Sequence, residues 1–195
     1  FSFPKTGSES IREMLKAHNE ETIVPYKKRN TESPWYPHMA PVEANTEFRR
    51  RGLELSDYFT FTLTRNPFQR SVSVYEMVMA VDGLEKLKRK LGLKQADFET
   101  WLTATVPYGR GAGGRNHQRW RKFGTWTTQA WTNDVDGNRI VDRIIRLDDI
   151  NSQLPSLLKY LEIPVPETLV HKNKRVTQDW RGYHNSKTIA LISDR

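Results

Sequence analysis

The stretch Asp57-Tyr-Phe-Thr-Phe-Thr-Leu-Thr64 alternates Phe59, Phe61 and Leu63 with threonines, the period of a β-strand. It runs without a linker into Arg65-Asn66-Pro67. Asparagine suits a helix N-cap and proline the first helical position. Phe68, Val72, Tyr75 and Met79 then recur at helical spacing. A strand, a polar turn and a helix in direct succession confine the chain to folds in which strands alternate with helices. The same order opens the sequence. Phe1-Ser-Phe3 reads as the end of a strand and Pro4-Lys-Thr-Gly-Ser-Glu-Ser10 as a polar turn. Ile11, Met14, Leu15 and His18 form a helical face, with Ser10 as N-cap or first-turn residue.

The rest of the chain fits that plan. Residues 19–37 carry three prolines and read as loop, and 41–51 as a short helix stopped by Gly52. Lys-rich 84–94 reads as a surface helix, and Asp97 as the cap of a helix that buries Phe98, Trp101 and Leu102. Gly- and Arg-rich 107–125 reads as a mobile loop. Asp136-Gly137 is a hairpin signal before a strand over 140–147. Leu154, Leu157, Leu158 and Leu161 mark an amphipathic helix ending before Pro164. Residues 171–185 read as polar loop, and those from Ser186 as a helix. The expected class is α/β, with a mainly parallel central sheet flanked by helices. The expected organisation is a single domain over 1–195, cut at both ends.

Composition narrows the chemistry. The chain has no cysteine, which removes disulfides, thiol nucleophiles and cysteine-ligated zinc. Lys plus Arg number 31 against 23 Asp plus Glu, a formal charge of +8, which favours anionic partners. No apolar run approaches the ~20 residues of a membrane span.

In parallel α/β sheets, ligands gather at the carboxyl ends of strands, where both polar turns fall. At the first turn, Gly7 lets the backbone approach an anion, Thr6, Ser8 and Ser10 offer hydroxyls, and Lys5 offers charge. The lysine precedes the glycine, which is not the order of an ATP-type P-loop. At the second turn, Arg65 leaves the strand end and Ser73 lies about two helical turns on. Arginine is a strong bidentate ligand for phosphate. Each turn alone is equally compatible with an ordinary capped βα turn. Together they suit a ligand with phosphates at two places.

Pro4-Lys-Thr-Gly-Ser-Glu-Ser10 resembles the 5′-phosphosulfate loop of sulfotransferases that use 3′-phosphoadenosine 5′-phosphosulfate (PAPS). Arg65-Asn-Pro-Phe-Gln-Arg-Ser-Val-Ser-Val-Tyr75 resembles their 3′-phosphate motif. The version here is similar to the carbohydrate sulfotransferases, of the heparan 2-O type and the bacterial sulfotransferase family 2 type. Gln129-Ala-Trp-Thr-Asn-Asp134, Val141-Asp142, Arg146-Leu-Asp-Asp-Ile150, His171-Lys-Asn173 and Tyr183 extend the resemblance over nearly the whole chain.

The resemblance implies a P-loop-like three-layer sandwich and a PAPS-dependent enzyme of EC 2.8.2 type, releasing PAP. Lys5, Thr6, Gly7, Ser8, Glu9 and Ser10 would line the 5′-phosphosulfate, and Arg65 and Ser73 the 3′-phosphate. Glu9 departs from the small or neutral residue usual in the family. Its carboxylate would have to point away or pair with Arg12, leaving the backbone N–H to serve. Lys5 would stabilise the leaving oxygen during in-line transfer. His38, in Trp35-Tyr-Pro-His-Met-Ala-Pro41, stands where relatives carry a histidine assigned as base. No metal requirement is expected.

The acceptor would be a hydroxyl, with a glycan as the expected class. Arg115, His117, Arg119 and Gln129 are its candidate contacts, and Trp120, Trp126 and Trp131 are candidates for stacking on sugar rings. The basic runs 49–51 and 86–94 suit a groove for an anionic chain as well as solvated helix faces. The competing readings are a P-loop-type nucleotide kinase and a non-catalytic nucleic-acid-binding module. The expected compartment is the cytoplasm, or the Golgi lumen if a membrane anchor lies upstream.

Overall fold

The computed structural model describes residues 1–104, 127–134, 136–166 and 179–194. They divide into two compact units. One is built from Phe1–Arg65 and the described part of Thr128–Lys174, the other from the described parts of Asn66–Thr127 and Arg175–Arg195.

The first unit holds helix α1 (Ser8–Met14), helix α2 (Pro41–Arg50), strand β1 (Phe61–Thr64), the helical turn α6 (Gln129–Thr132), strand β2 (Arg143–Arg146) and helix α7 (Ile150–Tyr160). β1 and β2 pair in parallel, with Leu63 opposite Ile145. The register is set where the strands begin. The Asp142 carboxylate accepts from Thr60 N–H at 2.6 Å and from Thr60 Oγ1 at 3.0 Å, while Asp142 and Arg143 N–H donate to the Thr60 carbonyl. Those bonds hold the Asp142 carboxyl below the usual carboxylate range, against a smaller opposing effect of burial.

The core of this unit joins Ile11 of α1, Leu63, Ile145, and Leu154, Leu157 and Leu158 of α7. The leucine spacing of α7 is the reason it folds there: those three side chains are at most 1% exposed. Phe1–Phe3 is not a strand. Its amine donates to the Phe61 carbonyl, and Thr62 Oγ1 donates to the Phe1 carbonyl at 3.0 Å. These bonds do not make the repeating main-chain ladder of a strand.

The second unit holds helix α3 (Pro67–Val81), helix α4 (Gly83–Lys90), helix α5 (Phe98–Ala104) and helix α8 (Ser186–Ser193). Each begins on an expected or recognisable cap. Asn66 Oδ1 accepts from Phe68 and Gln69 N–H, Asp82 from Leu84 and Glu85, and Asp97 from Thr100. Asn185 and Thr188 form a capping box. Val72, Val74, Val78, Met79, Phe98, Trp101 and Leu102 form the core.

The architecture is thus α/β in character, with a small parallel sheet among the described residues. Among them, no helix is long and apolar enough to cross a membrane. The expected loop over 107–125 and residues 171–178 of the expected loop over 171–185 lie outside the described residues, and Trp180–Tyr183 forms a 3-10 turn.

Candidate functional site

The turn over residues 3–8 is organised around one carbonyl. Phe3 is buried and stacks on Trp131, with ring centroids 4.9 Å apart. The Phe3 carbonyl accepts from Thr6 Oγ1 at 2.7 Å and from Ser8 Oγ at 3.1 Å. These two hydroxyl hydrogens brace the turn. Thr6 is fully buried and Ser8 nearly so. An anion at this turn would therefore be met by the Lys5 charge and by the main-chain N–H groups of Ser8 and Glu9, the first positions of α1, rather than by the Thr6 and Ser8 hydroxyls.

Two residues of this turn take left-handed backbone conformations: Lys5 at φ 65° and Gly7 at φ 80°. Glycine adopts that region without steric penalty, but a lysine does so against the bulk of its Cβ. Gly7 is required for a second reason. A Cβ there would stand 2.9 Å from Leu147 Cδ1. The Gly7 carbonyl accepts from Ser10 and Ile11 N–H and starts α1.

Arg65 and His38 both reach this segment. Arg65 Nη1 approaches the Lys5 carbonyl at 3.5 Å, the outer limit of a hydrogen bond, so the end of β1 lies against the first turn. His38 Nδ1 lies 2.7 Å from the Ser2 carbonyl. A carbonyl only accepts, so Nδ1 carries the proton and Nε2 is the basic nitrogen of the neutral ring. His38 is also left-handed, at φ 62°. Among the described residues, the non-glycine positions with positive φ are Lys5, His38 and Glu162. Two of these three are the residues for which the family resemblance implies a catalytic role.

The other expected site residues are placed as follows. Glu9 is exposed and Ser10 half-buried. Glu9 acts on Arg12: burial lowers the Arg12 guanidinium pKa from its ordinary value, and the Glu9 charge opposes that shift. Ser73 lies half-buried on α3, in the second unit. Gln129 is exposed at the start of α6. Arg115, His117 and Arg119 lie outside the described residues, as do Trp120 and Trp126. Trp131 is a core residue: it is 0% exposed and stacked on Phe3, so it has no face to offer a sugar.

Sequence reasoning did not find that two cations are drawn in from solvent. Arg70 of α3 is 4% exposed, and burial pushes its guanidinium pKa well down. Arg12 is half-buried against the cavity described below. Its position beside Ile11, one residue off the apolar face of α1, was the available signal.

The model of the sulfotransferase family matches residues 2–189. The chain belongs to the sulfotransferase family, and this membership supports a transferase activity, the movement of a sulfuryl group. No curated protein and no solved structure matches the chain.

Proposed function

We propose that the chain transfers the sulfuryl group of PAPS to a hydroxyl acceptor, with a glycan as the acceptor class and His38 as the base. The observation that carries this reading is the shared left-handed backbone of Lys5 and His38. Strained non-glycine residues persist where the surroundings over-determine them, and such residues cluster at functional sites. Family membership supplies the reaction class.

In this mechanism Lys5 lies against the bridging oxygen between phosphate and sulfate and stabilises the charge that builds there. The N–H groups of the turn from Lys5 to Ser10 hold the 5′ end, and Arg65 and Ser73 the 3′-phosphate. His38 Nε2 accepts the acceptor's hydroxyl proton as the new sulfur–oxygen bond forms and the bond to the leaving phosphate breaks. The Ser2 carbonyl, bound to Nδ1–H, holds the ring in the required tautomer and steadies the imidazolium. The fold that goes with this reading is one domain, a P-loop-like three-layer sandwich. The acceptor contacts are Arg115, His117, Arg119 and Gln129.

Calorimetric titration with PAP, with ATP and Mg²⁺, and with an oligonucleotide tests the reading. PAP binding is expected, and Arg65→Ala is expected to weaken it by roughly tenfold to a hundredfold, the worth of a hydrogen bond to a charged group. A preference for ATP with Mg²⁺, or for the oligonucleotide, refutes it.

A further inference from the structure

The first unit contains a cavity of about 500 Å³ between α1, α2 and the loop before α2. Its wall is largely apolar, with Ile11, Leu15, Ile23 and Phe48 among the lining side chains. Among the residues that bring polar atoms to this lining, two carry buried donors without a partner. Arg12 Nη1 and Trp35 Nε1 are both buried and have no hydrogen-bond partner among the described residues. Buried donors are almost always satisfied in native proteins, so two orphans on one cavity require an explanation. A cavity of this size accommodates a drug-sized molecule, and sites of this kind combine apolar walls with a few polar anchors.

The chemistry of the anchors defines the occupant. A guanidinium offers a fork of donors that matches a carboxylate or another planar anion, and the indole N–H can only donate. Neither orphan can be satisfied by a ligand that only donates. The acidic groups nearby do not occupy this role. Glu21 is paired with Arg51 at 2.8 Å, Glu20 is exposed at the cavity, and exposed Glu9 acts on Arg12 only through space.

We propose that this cavity binds a small amphipathic carboxylic acid, its apolar body against Ile11, Leu15 and Phe48 and its carboxylate on Arg12, with Trp35 as a second donor. Ser2, Ser8, Pro37 and Met39 also line the cavity, so its occupant lies beside the segments that carry Lys5 and His38. The proposal does not depend on sulfuryl transfer, and its failure leaves the function proposed above untouched.

The test uses two fluorescent probes with the whole protein: dansylglycine, which carries a carboxylate, and dansylamide, which does not. Dansylglycine is expected to bind saturably and at least about tenfold more tightly than dansylamide, the difference made by one hydrogen-bonded charge. Arg12→Gln is expected to remove that difference, lowering dansylglycine affinity while leaving dansylamide little changed. Trp35→Phe keeps the aromatic wall, removes the N–H and is expected to weaken dansylglycine several-fold. Equal affinity of the two probes for the wild-type protein overturns the proposal. So does an Arg12→Gln protein, folded by circular dichroism, that binds dansylglycine as the wild type does. Should Arg12→Gln not fold, the wild-type probe pair and Trp35→Phe decide the matter without it.

Discussion

Replacing Lys5 by alanine and by glycine separates the backbone of the turn from its charge. Both variants lose the ammonium and the side-chain stem, so whatever those contribute cancels between them. What differs is the cost of φ 65°. A residue with a Cβ holds that conformation at a cost of about 1–2 kcal/mol. Glycine escapes the cost but gives back roughly 0.5–1 kcal/mol through its greater freedom in the unfolded chain. Taking the middle of each range, Lys5→Gly should therefore be more stable than Lys5→Ala by about 0.75 kcal/mol. With a urea slope of ~2 kcal/mol/M, that is a midpoint difference of roughly 0.4 M in equilibrium unfolding. Both variants should lose sulfuryl transfer. A glycine variant that is stabilised yet inactive would show that the lysine is retained for its chemistry at the expense of the fold. Lys5→Ala proving as stable as Lys5→Gly would refute the strain on which the reading of this turn rests.

Gly7→Ala should destabilise by about 1–3 kcal/mol, since it adds the left-handed cost to a forced displacement of Leu147. Gly52→Ala, at φ 71° with nothing within 4 Å, should show only the conformational part, so equal losses in urea unfolding would discount the Leu147 contact. His38→Ala should lower turnover by roughly 10²–10⁴-fold while PAP affinity by calorimetry stays at the wild-type value; unchanged turnover would remove His38 from the mechanism. Asp142 binds its proton less readily folded than unfolded, so its stabilising contribution is complete above its ordinary pKa of 3.8 and declines as pH falls through the lower folded value. Asp142→Asn should therefore lower stability at neutral pH and flatten the loss seen below about pH 4; an unchanged acid limb would show that the Thr60 bonds carry no linkage.

What was legible in the sequence was what local chemistry decides. The threonine alternation of β1, the Asn66 and Asp97 caps and the leucine spacing of α7 each depend on a few neighbouring residues; the caps and α7 appear where the pattern put them, and β1 takes the second half, Phe61–Thr64, of the alternating stretch 57–64. The Lys5-to-Ser10 turn was legible as a turn but not in its inner accounting. That Thr6 and Ser8 spend their hydroxyl hydrogens on the Phe3 carbonyl follows from how the chain closes on itself. The left-handed conformations of Lys5 and His38 run against residue preference, so no propensity argument points to them. Trp131 looked as available to a sugar as any other tryptophan until its stacking partner, 128 residues earlier in the chain, was in place. The partnership of Arg65 with the first turn is likewise a product of tertiary closure across 60 residues.

The pairing of β1 with β2 also sets a timetable. Thr60 and Asp142, which set the register, are 82 residues apart in the chain. At a synthesis rate of about 5–20 residues per second, β1 leaves the ribosome several seconds before the strand it pairs with exists. Closing so long a segment adds only modestly to the entropy of pairing, because that term grows with the logarithm of length. The delay itself is the larger burden. During it, helices α3, α4 and α5, contiguous in the chain, can form their local contacts at once, whereas Phe61 and Leu63 have no sheet to enter. The segment that presents Arg65 is thus made well before the strand that seats it.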